Sequence, residues 1–223
     1  MSRTPFYTPS IKPSGLGATT YTIPAGKFAV CNSFFLFPSA GEPGYVVGNS
    51  PVGTMLTLNG DTVCVLGLSG SGRSFGRIGP FIFNAGDVIG NSGPILLTAN
   101  YSDPTPYLVG FSLVGFLYDQ STKKVPINQK MIPRTTSYTV PAGKHVACML
   151  HPGGRQASVA INSTVVMKIG GALPAVGGLV SNYGFGPLTV ASGSVISTDL
   201  LSADLSVLAN DFGLLSGFLY NNT

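Results

Sequence analysis

The two histidines, His145 and His151, are the first candidates for chemistry in the sequence. They are six residues apart, and in one continuous strand an even separation places both side chains on the same face. A metal site needs about three ligands within short reach, and no Asp, Glu or Cys accompanies the pair in a suitable pattern. The internal repeat described below aligns the histidines with Phe28 and Phe34. We therefore expect a packing or surface role, and we predict neither a metal nor another cofactor.

The sequence offers few other groups for catalysis. It has no Gly-x-Ser-x-Gly elbow for a nucleophilic serine, and Cys31, Cys64 and Cys148 lie in apolar segments, where thiols are usually inert. Cupins are jelly-roll enzymes with metal-binding histidines and glutamates, whereas this chain has no His-x-His and a single glutamate, Glu42. A carboxylate pair of the kind that glycoside hydrolases use is the one enzymatic alternative. We predict no catalytic residues and no enzymatic activity.

An internal repeat organises the chain. Thr-Tyr-Thr-Ile-Pro-Ala-Gly-Lys at residues 20–27 recurs as Ser-Tyr-Thr-Val-Pro-Ala-Gly-Lys at residues 137–144. Three further blocks recur in the same order, and both copies end on Gly-Phe-Leu-Tyr. These blocks pair residues 58–63 with 161–166, residues 79–89 with 186–196, and residues 114–118 with 216–220. Self-similarity of this kind indicates a tandem duplication.

The repeated blocks have the composition of strands and turns. Thirty glycines and 17 prolines disfavour long helices, and the segments between them are rich in Val, Thr, Phe and Tyr, which favour strands. Pro-Ala-Gly-Lys predicts a tight turn in which glycine takes a positive φ. Asn59-Gly60 between alternating apolar residues predicts a β-hairpin. The fold class predicted is all-β, with two tandem antiparallel β-sandwich domains of jelly-roll type.

The domain boundaries follow from the repeat. We predict an extended N-terminal arm at residues 1–16, a first sandwich at residues 17–120, a polar linker at residues 121–133 and a second sandwich at residues 134–223. The arm has three prolines and no amphipathic period, so we expect it to lie along a neighbouring subunit and to be disordered alone. Its candidate assembly contacts are Arg3, Phe6, Tyr7 and Ile11.

The charge content predicts a surface that other subunits cover. Only 9% of the residues are charged, against a typical quarter or so, whereas free soluble monomers have a mixed charged surface. No apolar run approaches the roughly 18 residues of a membrane span, so we predict no membrane insertion. A net charge of +4 spread thinly along the chain lacks the basic face that nucleic-acid binding requires. We therefore expect a homo-oligomer that binds no nucleic acid.

The repeated motifs resemble those of small β-sandwich proteins of tailed-bacteriophage virions. The motifs are the Tyr-Thr-Val-Pro-Ala-Gly-Lys opening, the Asn-Gly hairpin, the Gly-Pro-aliphatic-x-x-Ala-Gly-Asp strand and the closing Ser-Gly-Phe-Leu-Tyr. The resemblance covers residues 17–120 and 134–223, and the family includes capsid decoration proteins, head fibres and tail appendages. It implies a non-enzymatic, symmetric and often trimeric component of the virion, made in the host bacterial cytoplasm. Its partners would be the major capsid protein or tail proteins.

Two functions follow as hypotheses. The first is a capsid decoration or cement protein, which stabilises or decorates the shell through contacts between subunits. The second is a tail-fibre, baseplate or other tail-appendage component that binds a host receptor or glycan. Solvent-facing aromatic side chains are expected in the second case, although tyrosines in variable loops also anchor loops or form subunit contacts. The candidate loop contacts are Tyr45, Tyr101, Tyr107 and Tyr183.

Overall fold

A computed structural model provides the fold of the chain. It describes residues 3–14, 17–38, 52–68, 75–94, 109–120, 124–152, 157–169, 188–200 and 213–221. Among these residues, regular structure consists of β-strands joined by turns. No helix in the described ranges is long and apolar enough to cross a membrane.

Within the described residues, the first half of the chain contains eight strands. They are β1 (Arg3–Tyr7), β2 (Tyr21–Thr22), β3 (Lys27–Pro38), β4 (Val52–Leu58), β5 (Asp61–Leu68), β6 (Phe75–Phe83), β7 (Val88–Pro94) and β8 (Val109–Asp119). They form two antiparallel sheets with the strand orders β1-β8-β3-β6 and β2-β7-β4-β5. Apart from the β4–β5 hairpin, each connection therefore crosses from one sheet to the other.

The described part of the second half repeats this arrangement. Its strands are β9 (Lys124–Met131), β10 (Ser137–Thr139), β11 (Lys144–Pro152), β12 (Ala157–Ile161), β13 (Thr164–Ile169), β14 (Leu188–Val190), β15 (Val195–Leu200) and β16 (Gly213–Asn221). The sheets are β9-β16-β11-β14 and β10-β15-β12-β13. Each strand of the first half thus has a counterpart eight strands later in the chain. The predicted all-β fold of two tandem antiparallel sandwiches is confirmed, with the eight-stranded topology of a jelly roll in each half.

The predicted arm and linker differ from their expected form, because each supplies the first strand of a half. Strand β1 pairs with β8, with Pro5 opposite Phe116, and strand β9 pairs with β16, with Pro126 opposite Phe218. Both are edge strands, where a proline is tolerated because its missing N–H faces away from the sheet. The arm segment therefore completes a sheet of its own chain.

The turns take the backbone conformations that the sequence predicts. Gly26 and Gly143 in the two Pro-Ala-Gly-Lys turns have φ of 70° and 71°, and the lysine N–H of each turn donates to the proline carbonyl at 3.2 Å. Asn59 and Gly60 both have positive φ, as a two-residue hairpin requires. Matching turns therefore join equivalent strands in the two copies.

The core of each half lies between its two sheets. Phe34, Phe81, Phe83 and Phe111 are among the buried side chains of the first core. The second core contains smaller side chains, chiefly Val, Leu, Ile and Met. Leu214 of the second half belongs to the first core, so the two halves are packed against each other.

Candidate assembly surfaces

The histidines lie on one face of strand β11, as their spacing predicts. His145 is opposite Tyr220 and His151 is opposite Leu214 in the adjacent strand β16. Six residues of strand extend roughly 20 Å, so the two imidazoles are too far apart to bind one metal ion. His145 stacks on Tyr220 with ring centroids 5.2 Å apart, which is the packing role expected for it.

His151 is buried at the contact between the two halves. Its ring lies 4.1 Å from that of Phe81 in the first half, and it hydrogen-bonds to the backbone of Pro80, which offers only a carbonyl oxygen. Nε2 has no hydrogen-bond partner among the described residues. Burial lowers the pKa of His151 to about 4. The imidazole is therefore neutral at pH 7 and acts as a packed aromatic ring.

The described residues bring no other reactive groups together. They contain no group of three or more His, Cys, Asp or Glu side chains that could hold a metal ion. Cys31, Cys64 and Cys148 are buried free thiols. Burial raises the pKa of Cys31, and it raises that of Cys148 to about 12. Both thiols are therefore protonated at neutral pH, and they pack in the cores.

One contact surface among the described residues joins the two halves. Strands β5 and β6 are the edges of the two first-half sheets on the same side of the sandwich, and one face of the β9-β16-β11-β14 sheet covers this side. We call the second-half surface the docking face; it includes Lys124, Asn128, His151, Leu214, Ser216 and Phe218. We call the first-half surface the receiving side; it includes Phe28, Val63, Phe81, Ile82, Asp87 and Tyr118.

Polar contacts fix the edge strand β6 to the docking face. The backbone N–H of Ile82, which points away from its own sheet, donates to Ser216 Oγ at 2.8 Å. The Ser216 hydroxyl also lies 3.2 Å from Asn128 Oδ1. Asn128 Nδ2 in turn donates to Asp87 Oδ2 at 3.1 Å. Because an unpaired backbone N–H at a buried edge is costly, Ser216 both satisfies the edge and ties it to the second half.

A cation over aromatic rings forms the other end of this contact. Phe28 is fully buried between Tyr118, which stacks on it at 5.2 Å, and Phe218, which meets it edge-on at 5.4 Å. Lys124 Nζ lies 4.7 Å from the Phe218 ring centroid and 5.4 Å from that of Phe28. Such contacts contribute on the order of 1 kcal/mol each. Lys124, predicted to be a linker residue, therefore helps to join the halves.

The predicted assembly residues of the N-terminal segment divide into two pairs. Phe6 and Ile11 are buried in the first core, and Ile11 forms a β-bridge with Phe111. They are thus covered by their own chain because their side chains point into the sandwich. Arg3 and Tyr7 are exposed on its outer face, with Arg3 Cζ 4.9 Å from the centroid of the Phe116 ring. The candidate loop contacts Tyr45, Tyr101, Tyr107 and Tyr183 lie outside the described residues.

A β-bulge changes one of the sequence equivalences. The register between β3 and β8 shifts between Cys31 and Ser33, whereas the β11–β16 pairing is regular. His151 is opposite Leu214, and the residue in the corresponding place in the first half is Phe35, opposite Ser112. The alignment of His151 with Phe34 is therefore wrong by one residue. The correction matters because Phe34 is buried in the core, whereas Phe35 is exposed.

Comparison with protein-family models found no matching family, and comparison with curated proteins found no matching protein.

Proposed function

We propose that the chain is a non-enzymatic structural protein of a bacteriophage virion, which decorates or cements the capsid through contacts between subunits. The observation that carries the proposal is the distribution of exposed apolar side chains. Tyr7, Phe35, Val165 and Val166 are exposed on the sandwich surfaces, in a chain of which only 9% of residues are charged. Contiguous patches of exposed apolar side chains mark sites of interaction with other proteins, and we infer that these side chains belong to such patches.

The fold is compatible with this function without establishing it. Eight-stranded jelly rolls are common in viral capsid proteins, but they also occur in lectins and cupins, and a fold by itself does not determine function. The argument therefore depends on the surfaces and on the sequence resemblance to tailed-bacteriophage virion proteins. In the proposal, the partners are other virion proteins, such as the major capsid protein, together with further copies of the chain. The chain is made in the bacterial cytoplasm and acts in the virion.

The non-enzymatic part of the proposal depends on the chemistry of the available side chains. The buried thiols of Cys31 and Cys148 are protonated at neutral pH, and His151 is neutral and packs against Phe81. These groups support packing better than nucleophilic or acid–base catalysis, which needs accessible groups with suitable pKa values. The tail-appendage alternative depends on tyrosines outside the described residues, and no described contact favours it.

A binding experiment with capsids tests the proposed function. Purified chain is labelled, mixed with capsids of the encoding phage that lack it, and sedimented with them. We expect saturable binding at many copies per capsid and a higher capsid melting temperature, because a ligand of the assembled shell stabilises it. Failure to bind capsids would overturn the decoration role. Binding to purified host glycans, measured on a glycan array, would favour the tail-appendage alternative.

A further inference from the structure

We propose that copies of the chain associate head to tail, through a contact that repeats the one between the two halves. The surface of the first half that corresponds to the docking face contacts, in the next chain, the surface of the second half that corresponds to the receiving side. This inference depends on the proposed function for its biological role, because a capsid-decorating protein acts through subunit contacts. It is tested on the purified chain alone, so the two can fail separately.

The duplication provides the geometric basis of the inference. The paired registers identify a counterpart for each residue of the docking face, since Gly115 and Gly217 occupy the same place in the two halves. In the first half the counterparts are Arg3, Tyr7, Phe35, Ser112, Val114 and Phe116. The receiving side has counterparts in the second half as well. They are His145, Val166, Leu188, Thr189, Ser194 and Tyr220.

Part of the first-half counterpart of the docking face is exposed, at Arg3, Tyr7 and Phe35, whereas Ser112 is buried. Asn128 and His151 lie in the contact between the halves, whereas their counterparts Tyr7 and Phe35 are 77% and 37% exposed. Large aromatic side chains stabilise a buried contact more than a hydrated surface. The exposed Tyr7 side chain is therefore placed for contact with another molecule.

Part of the second-half counterpart of the receiving side is exposed. Val63 is 2% exposed in the first core, which includes Leu214 of the docking face, whereas its counterpart Val166 is 46% exposed. Ile82, whose N–H is bonded by Ser216, corresponds to Thr189, which is exposed on the edge strand β14. Val166 and Thr189, on the second-half strands that correspond to the covered strands of the first half, are thus both exposed.

The aromatic parts of the two sets of surfaces correspond as well. His145 stacks on Tyr220 at 5.2 Å and 11°, and Phe28 stacks on Tyr118 at the same distance and angle. Within one chain, Lys124 and Phe218 cover the Phe28–Tyr118 pair. Their counterparts are Arg3 and Phe116, which make a similar cation–π pair at 4.9 Å. We infer that this pair covers the His145–Tyr220 pair of the next chain.

The docking-face counterpart and the receiving-side counterpart differ from each other, so the contact between chains is heterologous. One chain presents the docking-face counterpart on its first half and the receiving-side counterpart on its second half. A heterologous contact of this kind forms a closed ring or an open filament, depending on the rotation between neighbours. If each contact repeats the one within the chain, all jelly rolls of the assembly have equivalent neighbours. Ring closure is then set by the angle between the two halves.

Single substitutions on each surface separate this arrangement from other modes of association. Tyr7→Asp disables the docking-face counterpart on the first half, and Val166→Asp disables the receiving-side counterpart on the second half. Val125→Asp is a matched control, because Val125 is 42% exposed on β9 and its side chain points away from the docking face. All three positions are exposed, so the aspartates remain hydrated in the folded chain. Circular dichroism and thermal unfolding check that each variant is folded.

Native mass spectrometry and analytical ultracentrifugation measure the result. We expect the unmodified chain and Val125→Asp to assemble into several copies of the 23.0 kDa chain, whereas Tyr7→Asp and Val166→Asp are each monomeric. An equimolar mixture of these two variants should form a dimer containing one of each, because only one intact contact can form. Should either aspartate prevent folding, Phe35→Asp and Thr189→Arg replace the pair.

Two results would overturn the inference. A monomeric unmodified chain at high concentration would exclude the contact between copies. An isologous, face-to-face assembly would leave Val166→Asp fully assembled and would give no mixed dimer. Neither result would affect binding of the chain to capsids, which tests the proposed function independently.

Discussion

Acidification should destabilise the chain through His151. The imidazole is buried against Phe81 at the contact between the halves, and its pKa falls from 6.5 to about 4 because burial penalises the charged form. Above pH 6.5 the residue is neutral in both the folded and the unfolded chain and contributes no pH dependence. As the pH falls below 6.5, the unfolded chain takes up a proton that the folded chain does not. The free energy of unfolding therefore decreases until the folded residue is also protonated near pH 4.

The size of this effect follows from the two pKa values. Each unit of pKa difference corresponds to about 1.4 kcal/mol, so the full loss is about 3 kcal/mol below pH 4. About 2 kcal/mol of it is already lost between pH 7 and pH 5. This is a large part of the roughly 5–15 kcal/mol that stabilises a typical domain. Carboxylates with ordinary pKa values titrate mainly below this interval.

Urea unfolding at pH 7 and pH 5 measures the effect in the unmodified chain and in His151→Phe, which carries the aromatic ring of the counterpart residue Phe35. We expect the variant to lose about 2 kcal/mol less than the unmodified chain when the pH is lowered. His145→Phe is the control, because it retains His151 and should retain the acid sensitivity. Equal pH dependence in the unmodified chain and His151→Phe would refute the assignment of acid sensitivity to His151.

Three further substitutions test the packing of the fold and of the contact between the halves. Gly115→Ala should lower the free energy of unfolding by about 2 kcal/mol or more, because the alanine Cβ would lie 2.0 Å from the Val30 carbonyl oxygen. An unchanged midpoint of urea denaturation would contradict this close approach. Ser216→Ala should lower the free energy of unfolding by about 1–3 kcal/mol, because it leaves the Ile82 N–H without its partner. The same urea denaturation measures this loss, with Ser197→Ala on β15 as the control. Lys124→Met, which keeps the aliphatic stem, should lower the melting temperature through loss of about 1 kcal/mol of cation–π interaction, and no change in calorimetry would show that the charge contributes nothing.

The sequence predicts the repeated parts of the fold better than its edges. The two Pro-Ala-Gly-Lys turns and the Asn59-Gly60 hairpin depend on local backbone preferences, and their positive φ angles agree with the prediction. Strands β1 and β9 were missed because a proline and polar neighbours are typical of linkers as well as of edge strands. Only their pairing with β8 and β16 distinguishes the two cases.

The candidate surfaces were only partly predictable. Arg3 and Tyr7 are exposed as expected of assembly contacts, whereas Phe6 and Ile11 are buried because strand alternation turns Phe6 inward and a bridge to Phe111 holds Ile11. The importance of Phe35 depends on a one-residue bulge in β3. Residue types alone do not locate such a bulge, because it is a property of the pairing between two strands.

Cryo-electron microscopy of the intact virion of the encoding phage tests the proposed function most directly. The proposal predicts density for paired jelly rolls at many quasi-equivalent sites on the shell, with the first half of one chain against the second half of the next. Density confined to the tail or to a single vertex would contradict the decoration role and favour the appendage alternative. Absence of the chain from the virion would contradict both.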